Sequence, residues 1–208
     1  MGVELETIIP LTMAKLKFGV GATEELGYEL KSLGARSVLL VTDKGLWDHG
    51  LVDKVKGIIE GEKIALRIFD EVHCEPTDRS MRQAIGKAGG ADFDAVVALG
   101  GGSTMDTAKA VNLYRTHPAD LLEYVNAPIG RGKPVPGPLK PLIALPTTSG
   151  SGSETTTVIV MDFLDLHLKT GISHQHIRPA VALVDPLNTL SAPAAVTANT
   201  GLDVLTHA

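Results

Sequence analysis

The sequence predicts an α/β fold built on a doubly wound, mostly parallel sheet. Three observations carry that expectation. Short apolar runs alternate with helical spacings along most of the 208 residues. The runs lack the period-2 alternation of half-exposed strands, as expected where a parallel sheet is covered on both faces. Two of them lead directly into loops rich in glycine or hydroxyl side chains. Strands that alternate with helices imply right-handed crossover units.

In chain order, Ala22 to Leu33 places Leu26, Leu30 and Leu33 at helical spacing, and the β-rich run 37–42 follows Gly34. A helix over Val52 to Ile59 precedes a second strand, Ala65 to Phe69. A third strand, Asp94 to Leu99, enters a glycine cluster and then a helix over Ser103 to Tyr114. A fourth, Pro141 to Leu145, ends at Pro146. Residues 126–141 hold five of the twelve prolines and three glycines, so they cannot be helical. They read as a surface loop, either ordered or mobile. Residues 156–184 read as a β-hairpin region with strands at 156–161, 169–172 and 180–184. From Pro193 the pattern turns helical again and runs through Ala208, with no capping glycine or proline after it.

Composition excludes several classes. Nineteen Lys and Arg against 24 Asp and Glu give a net charge of −5, which argues against non-specific nucleic-acid binding. No apolar run approaches the roughly 18 residues of a spanning helix, so no membrane partner is expected. Met1 to Thr7 is acidic and lacks an apolar signal core, and Glu6 stands where a myristoylation signal needs Ser or Thr. A soluble, cytoplasmic chain is the expectation. Cys74 is the sole cysteine, which excludes intrachain disulfides and Cys-rich zinc sites. It is expected to be a buried apolar residue.

Four groups of residues carry chemistry. The strand ending at Leu99 delivers Gly100, Gly101 and Gly102 to the start of a helix. Glycines admit a close ligand, and the free N–H groups and dipole of the helix start attract an anion such as a pyrophosphate. Ser103 is expected to cap that helix, with Asp106 as its box partner. The alternative is a tight turn with an ordinary cap. This is neither a Walker A loop nor Gly-x-Gly-x-x-Gly, and Gly19-Val20-Gly21 is incomplete because Glu24 takes the third glycine position. The second group is Thr147, Thr148, Ser149, Ser151 and Ser153 with Gly150 and Gly152, whose hydroxyls can bond ribose or phosphate oxygens. Third, Asp43 ends the first strong strand, where a carboxylate can accept from both ribose hydroxyls or simply cap a turn. Fourth, Asp203 and His207 are spaced i, i+4, so both share one helix face and could share a divalent metal or a hydrogen bond. His174 and His176 are expected to be solvent-facing rather than metal-bound.

Together these segments resemble the amino-terminal part of the iron-dependent (group III) alcohol dehydrogenase family. The matching motifs are Gly100-Gly-Gly-Ser-Thr-Met-Asp106-Thr-Ala-Lys109, Pro146-Thr-Thr-Ser-Gly-Ser-Gly-Ser-Glu154 and Gly201-Leu-Asp-Val-Leu-Thr-His-Ala208. Within the family, Asn112-Leu-Tyr114, residues 124–134 and Pro138-Leu-Lys-Pro141 resemble hydroxyacid-oxoacid transhydrogenases. The resemblance implies a Rossmann-like nucleotide-binding domain over residues 1–192 and the first residues of a truncated, metal-binding helical domain over 193–208. Gly101, Gly102 and Ser103 would hold the pyrophosphate and Asp106 would support that loop. Thr147, Thr148 and Ser151 would line the cofactor cleft, Lys169 would lie near the nicotinamide ribose, and Asp43 would bind ribose, favouring NAD over NADP. Asp203 and His207 would be the first two of four ligands to Fe2+ or Zn2+, the other two being histidines on the remainder of the helical domain. Ser151 stands where most members have Thr, and Glu75-Pro76-Thr77 where many have Asn-Pro-Thr.

The implied function is hydride transfer between a small hydroxy acid or alcohol and a nicotinamide cofactor. The subfamily resemblance narrows this to 4-hydroxybutyrate and succinic semialdehyde, with 2-oxoglutarate as acceptor. A homodimer or higher oligomer is common in the family. Two rivals accompany this reading: an NAD-binding module without catalysis, and a dehydroquinate-synthase-like lyase that shares the glycine loop.

Overall fold

The computed structural model describes residues 13–88 and 92–207. Six strands form one parallel sheet: β1 (Lys15–Phe18), β2 (Ser37–Val41), β3 (Ala65–Phe69), β4 (Ala95–Gly100), β5 (Leu142–Pro146) and β8 (Val181–Val184). Their order is β1-β8-β5-β4-β2-β3, with every neighbouring pair parallel. The remaining strands, β6 (Val158–Phe163) and β7 (Leu168–Ser173), form an antiparallel hairpin beside it.

Alternate residues of the central strands enter two different cores. Val38, Leu40, Val97, Leu99, Ile143 and Leu145 pack with α1 (Leu26–Ser32) and α2 (Leu51–Gly61). Leu39, Val41, Val96, Ala98 and Ala144 face the other way, onto α3 (Asp78–Lys87) and α4 (Gly102–Thr116). Both faces are apolar because both are covered, and this erases the alternation from the sequence. The chain runs outward from β2 to β3, then crosses back to place β4 on the other side of β2. That reversal opens a crevice between the carboxyl ends of β2 and β4, the place where ligands bind open α/β sheets.

A third core lies under the hairpin, where Ile159, Met161, Phe163 and Ile172 meet Leu113, Tyr114 and the short α5 (Leu121–Tyr124). The Pro/Gly-rich stretch 126–141 is an ordered loop tied to this cluster. Val135 is buried in it, Asn112 Nδ2 donates to Lys140 O at 2.7 Å, and Gly132 N donates to Val125 O at 2.8 Å. The run 180–184 departs from the hairpin expected of it. It enters the main sheet as β8, between β5 and β1, because both faces of a buried strand there need apolar cover.

Three elements escaped the sequence reading, β1, α3 and the short α5. β1 is a short edge strand, with Lys15 and Lys17 reaching Glu29 of α1 while Leu16 and Phe18 stay exposed. α3 begins with a reciprocal capping box between Thr77 and Ser80. Serine there does the work usually signalled by Glu or Gln. The final helix, α6 (Ala194–His207), buries none of its described residues; Ala208 lies outside the described residues. Among the described residues no helix is long and apolar enough to cross a membrane.

Candidate functional site

Asp43 stands where β2 ends, beside β4 in register Val41 with Ala98. Its carboxylate accepts from Gly45 N at 3.0 Å and so caps the 3-10 turn 44–49. Burial pushes its carboxyl above the usual aspartate range, opposed by the N–H groups of Gly45 and Leu46. The acid thus fills the cap role while remaining at the crevice.

β4 ends at Gly100 and α4 starts at Gly102, with Gly101 as a cap residue whose helix start receives no side-chain hydrogen bond. The expected Ser103 cap is not formed. Ser103 lies inside the first turn, and its hydroxyl accepts from Glu75 N at 3.2 Å. Glu75 takes left-handed backbone, φ 54°, a conformation that suits Asn better than Glu. Asp106, the expected box partner, points inward instead.

The hydroxyl-rich loop after β5 closes directly on the glycines. Thr147 N donates to Gly100 O at 3.1 Å. A Cβ on Gly101 would lie 3.1 Å from Thr148 Oγ1, and one on Gly102 would lie 2.9 Å from Ser151 Cβ. One on Gly100 would lie 2.6 Å from Thr104 Cβ. These glycines are therefore required by the approach of protein to protein. The residues read separately from sequence, Gly101, Gly102, Ser103, Thr147, Thr148 and Ser151, come together in one place.

Beneath the loops lies a buried polar network in which Ser153, expected among the ligand-facing hydroxyls, turns inward to Asp106 and to Lys109, a residue given no role from the sequence. Asp106 accepts from Ser153 Oγ at 2.5 Å and from Val160 N at 2.9 Å. Lys109, fully buried, donates to Ser153 Oγ at 2.8 Å, Val158 O at 2.9 Å and Thr156 Oγ1 at 3.2 Å, with Asp106 3.4 Å away. Desolvation holds the Lys109 ammonium below the usual lysine range, against the pull of Asp106. Asp106 and Lys109, an i, i+3 pair and the only charged residues of α4 before Arg115, were its signal.

Asp203 and His207 lie on the far flank of the same loop. A Cβ on Gly150 would come within 2.6 Å of Thr200 O and 3.1 Å of Asp203 Oδ2, and His207 Nδ1 is 3.3 Å from Gly150 O. Asp203 Oδ1 and His207 Nδ1 are 3.8 Å apart, close enough for a carboxylate and an imidazole to bind one ion together. The described residues contain no group of three or more His, Cys, Asp or Glu able to hold a metal. Lys169 stands on β7, 3.7 Å from Asp162 and more than half exposed.

Two further expectations change. Cys74 is exposed rather than buried, because it sits in the surface turn that leads to Thr77 and α3. His174 and His176 are partly buried rather than solvent-facing, and burial lowers the His174 pKa. His174 Nδ1 accepts from His176 N at 3.2 Å, so that ring serves its own turn.

Comparison with known proteins gives a consistent result. Residues 14–186 match the family model of the iron-containing alcohol dehydrogenases. A mitochondrial hydroxyacid-oxoacid transhydrogenase of Mus musculus is 51% identical over 199 residues, which are 95% of this chain and 43% of that protein. The Homo sapiens protein of the same name is 50% identical over 199 residues. Among solved structures, a 1,3-propanediol oxidoreductase superposes with a TM-score of 0.86 at 34% identity, covering 96% of this chain and 51% of the other. A sulfoacetaldehyde reductase from Bifidobacterium kashiwanohense, solved with NAD+, gives 0.84 at 31% identity, covering 96% and 52%. The chain spans less than half the length of the curated relatives it matches. Those relatives are mitochondrial by name, so the cytoplasmic location expected from composition does not stand.

Proposed function

The chain belongs to the iron-containing alcohol dehydrogenase family, and from there we propose that it forms the nicotinamide-nucleotide-binding part of a hydroxyacid or alcohol oxidoreductase. The observation that carries this reading is the interlock of the glycine loop with Thr148 and Ser151 at the carboxyl ends of β4 and β5, beside the crevice that Asp43 borders. In this reading residues 1–192 are the nucleotide domain and 193–208 open a metal-binding helical domain.

The backbone N–H groups of Gly101, Gly102 and Ser103 would receive the pyrophosphate, aided by the α4 dipole. Asp43 would accept from the ribose hydroxyls and repel a 2′-phosphate, which favours NAD over NADP. The hydroxyls of Thr147, Thr148 and Ser151 would orient the cofactor across the cleft, with Lys169 toward the nicotinamide ribose. Asp203 and His207 offer a carboxylate and an imidazole, a donor pair suited to Fe2+ or Zn2+. When bound, the nicotinamide supplies hydride chemistry and the metal supplies Lewis acidity at the substrate oxygen. The names of the relatives support hydride exchange between a hydroxy acid and an oxo acid; the subfamily resemblance narrows this to 4-hydroxybutyrate and 2-oxoglutarate exchanging a hydride through a retained cofactor. The partners would then be small hydroxy acids or alcohols, and a homodimer or larger assembly is the expected form.

An NADH titration followed by nicotinamide fluorescence tests the nucleotide assignment. Asp43→Ser keeps an acceptor for Gly45 N but removes the paired ribose contacts. Saturable binding, weakened about tenfold by this substitution, is expected, since roughly 1.4 kcal/mol separates each decade. A folded wild-type chain that binds no NADH would overturn the reading.

A further inference from the structure

We infer that Lys109 is a positioning residue for the nucleotide site, pinning the hydroxyl-rich loop where Thr148 and Ser151 close on the glycine loop. The inference rests on the nucleotide-binding reading of that site. Residues 147–157 contain only Thr, Ser, Gly and Glu, so no apolar side chain anchors them. Between 148 and 158, Ser153 is the buried residue. Its hydroxyl donates to Asp106 and accepts from Lys109, both on α4. Lys109 then reaches past it to Thr156 Oγ1 and Val158 O, while Asp106 takes Val160 N. One turn of α4 therefore grips the segment at four residues, 153, 156, 158 and 160.

The grip transmits to the glycines by a short route. Ser153 N donates to Ser151 Oγ at 3.3 Å, and Ser151 is the residue against which Gly102 packs. Burying an ammonium is unfavourable unless its donors are met, and an apolar side chain of similar volume would fill the same space without that penalty. Filling alone thus gives no reason for a lysine. Three well-aimed donors into a loop without apolar anchors do. The lysine fixes the loop; the glycine loop and Ser151 meet the ligand.

Lys109→Met tests this together with Asp106→Asn, which avoids leaving a lone buried carboxylate. Ser153→Ala is the milder companion, since Lys109 keeps Thr156, Val158 and Asp106. Hydrogen exchange is followed over peptides spanning 148–158, and NADH and AMP affinities are measured by competition. In the double variant, exchange over 148–158 is expected to accelerate at least tenfold while the α1 and α2 peptides keep their rates. The NADH Kd is expected to rise at least tenfold and the AMP Kd less than threefold, a split that general destabilisation would not produce. Ser153→Ala shifts both readouts in the same direction by a smaller factor, and it alone decides the matter if the double variant does not fold. Unchanged loop exchange, or parallel weakening of both nucleotides, would overturn the inference. If the wild type binds no NADH, the nucleotide reading fails and the exchange data judge the pin by themselves.

Discussion

The two regions that flank the hydroxyl-rich loop are held in opposite ways. On one side, α4 meets the loop through a buried carboxylate, a buried ammonium and glycines that permit near contact. On the other side, α6 carries Asp203 and His207 but buries no residue, and it touches the loop at Gly150. Leu202 and Leu205 of α6 are 63% and 73% exposed. The first region is organised by this chain alone and would present its N–H groups to a ligand at little ordering cost. In the second, the donors are present but their helix is not fixed by a core. A metal there would have to order its ligands as it binds.

The largest expected effect comes from wedging the interlock apart. Gly102→Val places a branched side chain where even a Cβ would lie 2.9 Å from Ser151 Cβ. Overpacking of this kind costs about 1–3 kcal/mol, and the wedge also separates the two loops that would hold the nucleotide. Urea denaturation should report a loss near the top of that range, with NADH binding abolished. A variant that binds NADH normally would break the comparison, because the tight region would then have slack.

Asp185 stands just beyond β8, where the chain leaves the sheet on its way to α6. Its carboxylate accepts from Gly21 N at 3.2 Å, Thr23 N at 3.2 Å and Leu187 N at 3.1 Å. These N–H donors hold its pKa below the ordinary aspartate value of 3.8, although burial pushes the other way. The unfolded chain therefore takes up the proton first as pH falls. The stabilisation is complete above pH 3.8 and is lost as pH drops through the folded-state value. Asp185→Asn should cost about 1.5–3 kcal/mol at pH 7, in keeping with hydrogen bonds to a charged group, and the gap from wild type should narrow below pH 3.8. Equal acid sensitivity in both proteins would show that the anchor of the α6 connection lies elsewhere.

The legible parts of the molecule were those where one local rule acts alone. β2, β3, β4 and β5, with α1, α2 and α4, follow from apolar runs and spacing, and the glycine and hydroxyl loops announced themselves by composition. What the sequence could not give was assignment between partners. The run 180–184 reads as a strand, but only tertiary packing sends it to β5 and β1 rather than to the hairpin. Ser103 and Asp106 satisfy a capping-box spacing, yet Ser153 and Val160, 47 and 54 residues away, outcompete that local use of the carboxylate. Lys109 received no role from the sequence because its acceptors lie in a loop that folds over it from far along the chain. Asp43 was read both as a cap and as a ligand group, and the structure gives it the first role without removing it from the crevice.

The smallest expected effect sharpens the contrast from the weak side. Leu205 sits on α6 with 73% of its surface exposed, and α6 contributes nothing to the three cores. Leu205→Gln keeps a good helix former and removes only exposed apolar surface. Substitutions away from buried features usually stay within about 0.5 kcal/mol, so the urea midpoint and its slope should match wild type. The same change at a core leucine such as Leu99, which is fully buried, would bury an unpaired amide and cost several times more. If Leu205→Gln instead costs about 2 kcal/mol, its side chain must be covered in solution by a surface other than the one it faces here. The loss should then depend on protein concentration if a second copy supplies that cover. It should be independent of concentration if α6 folds back onto this chain.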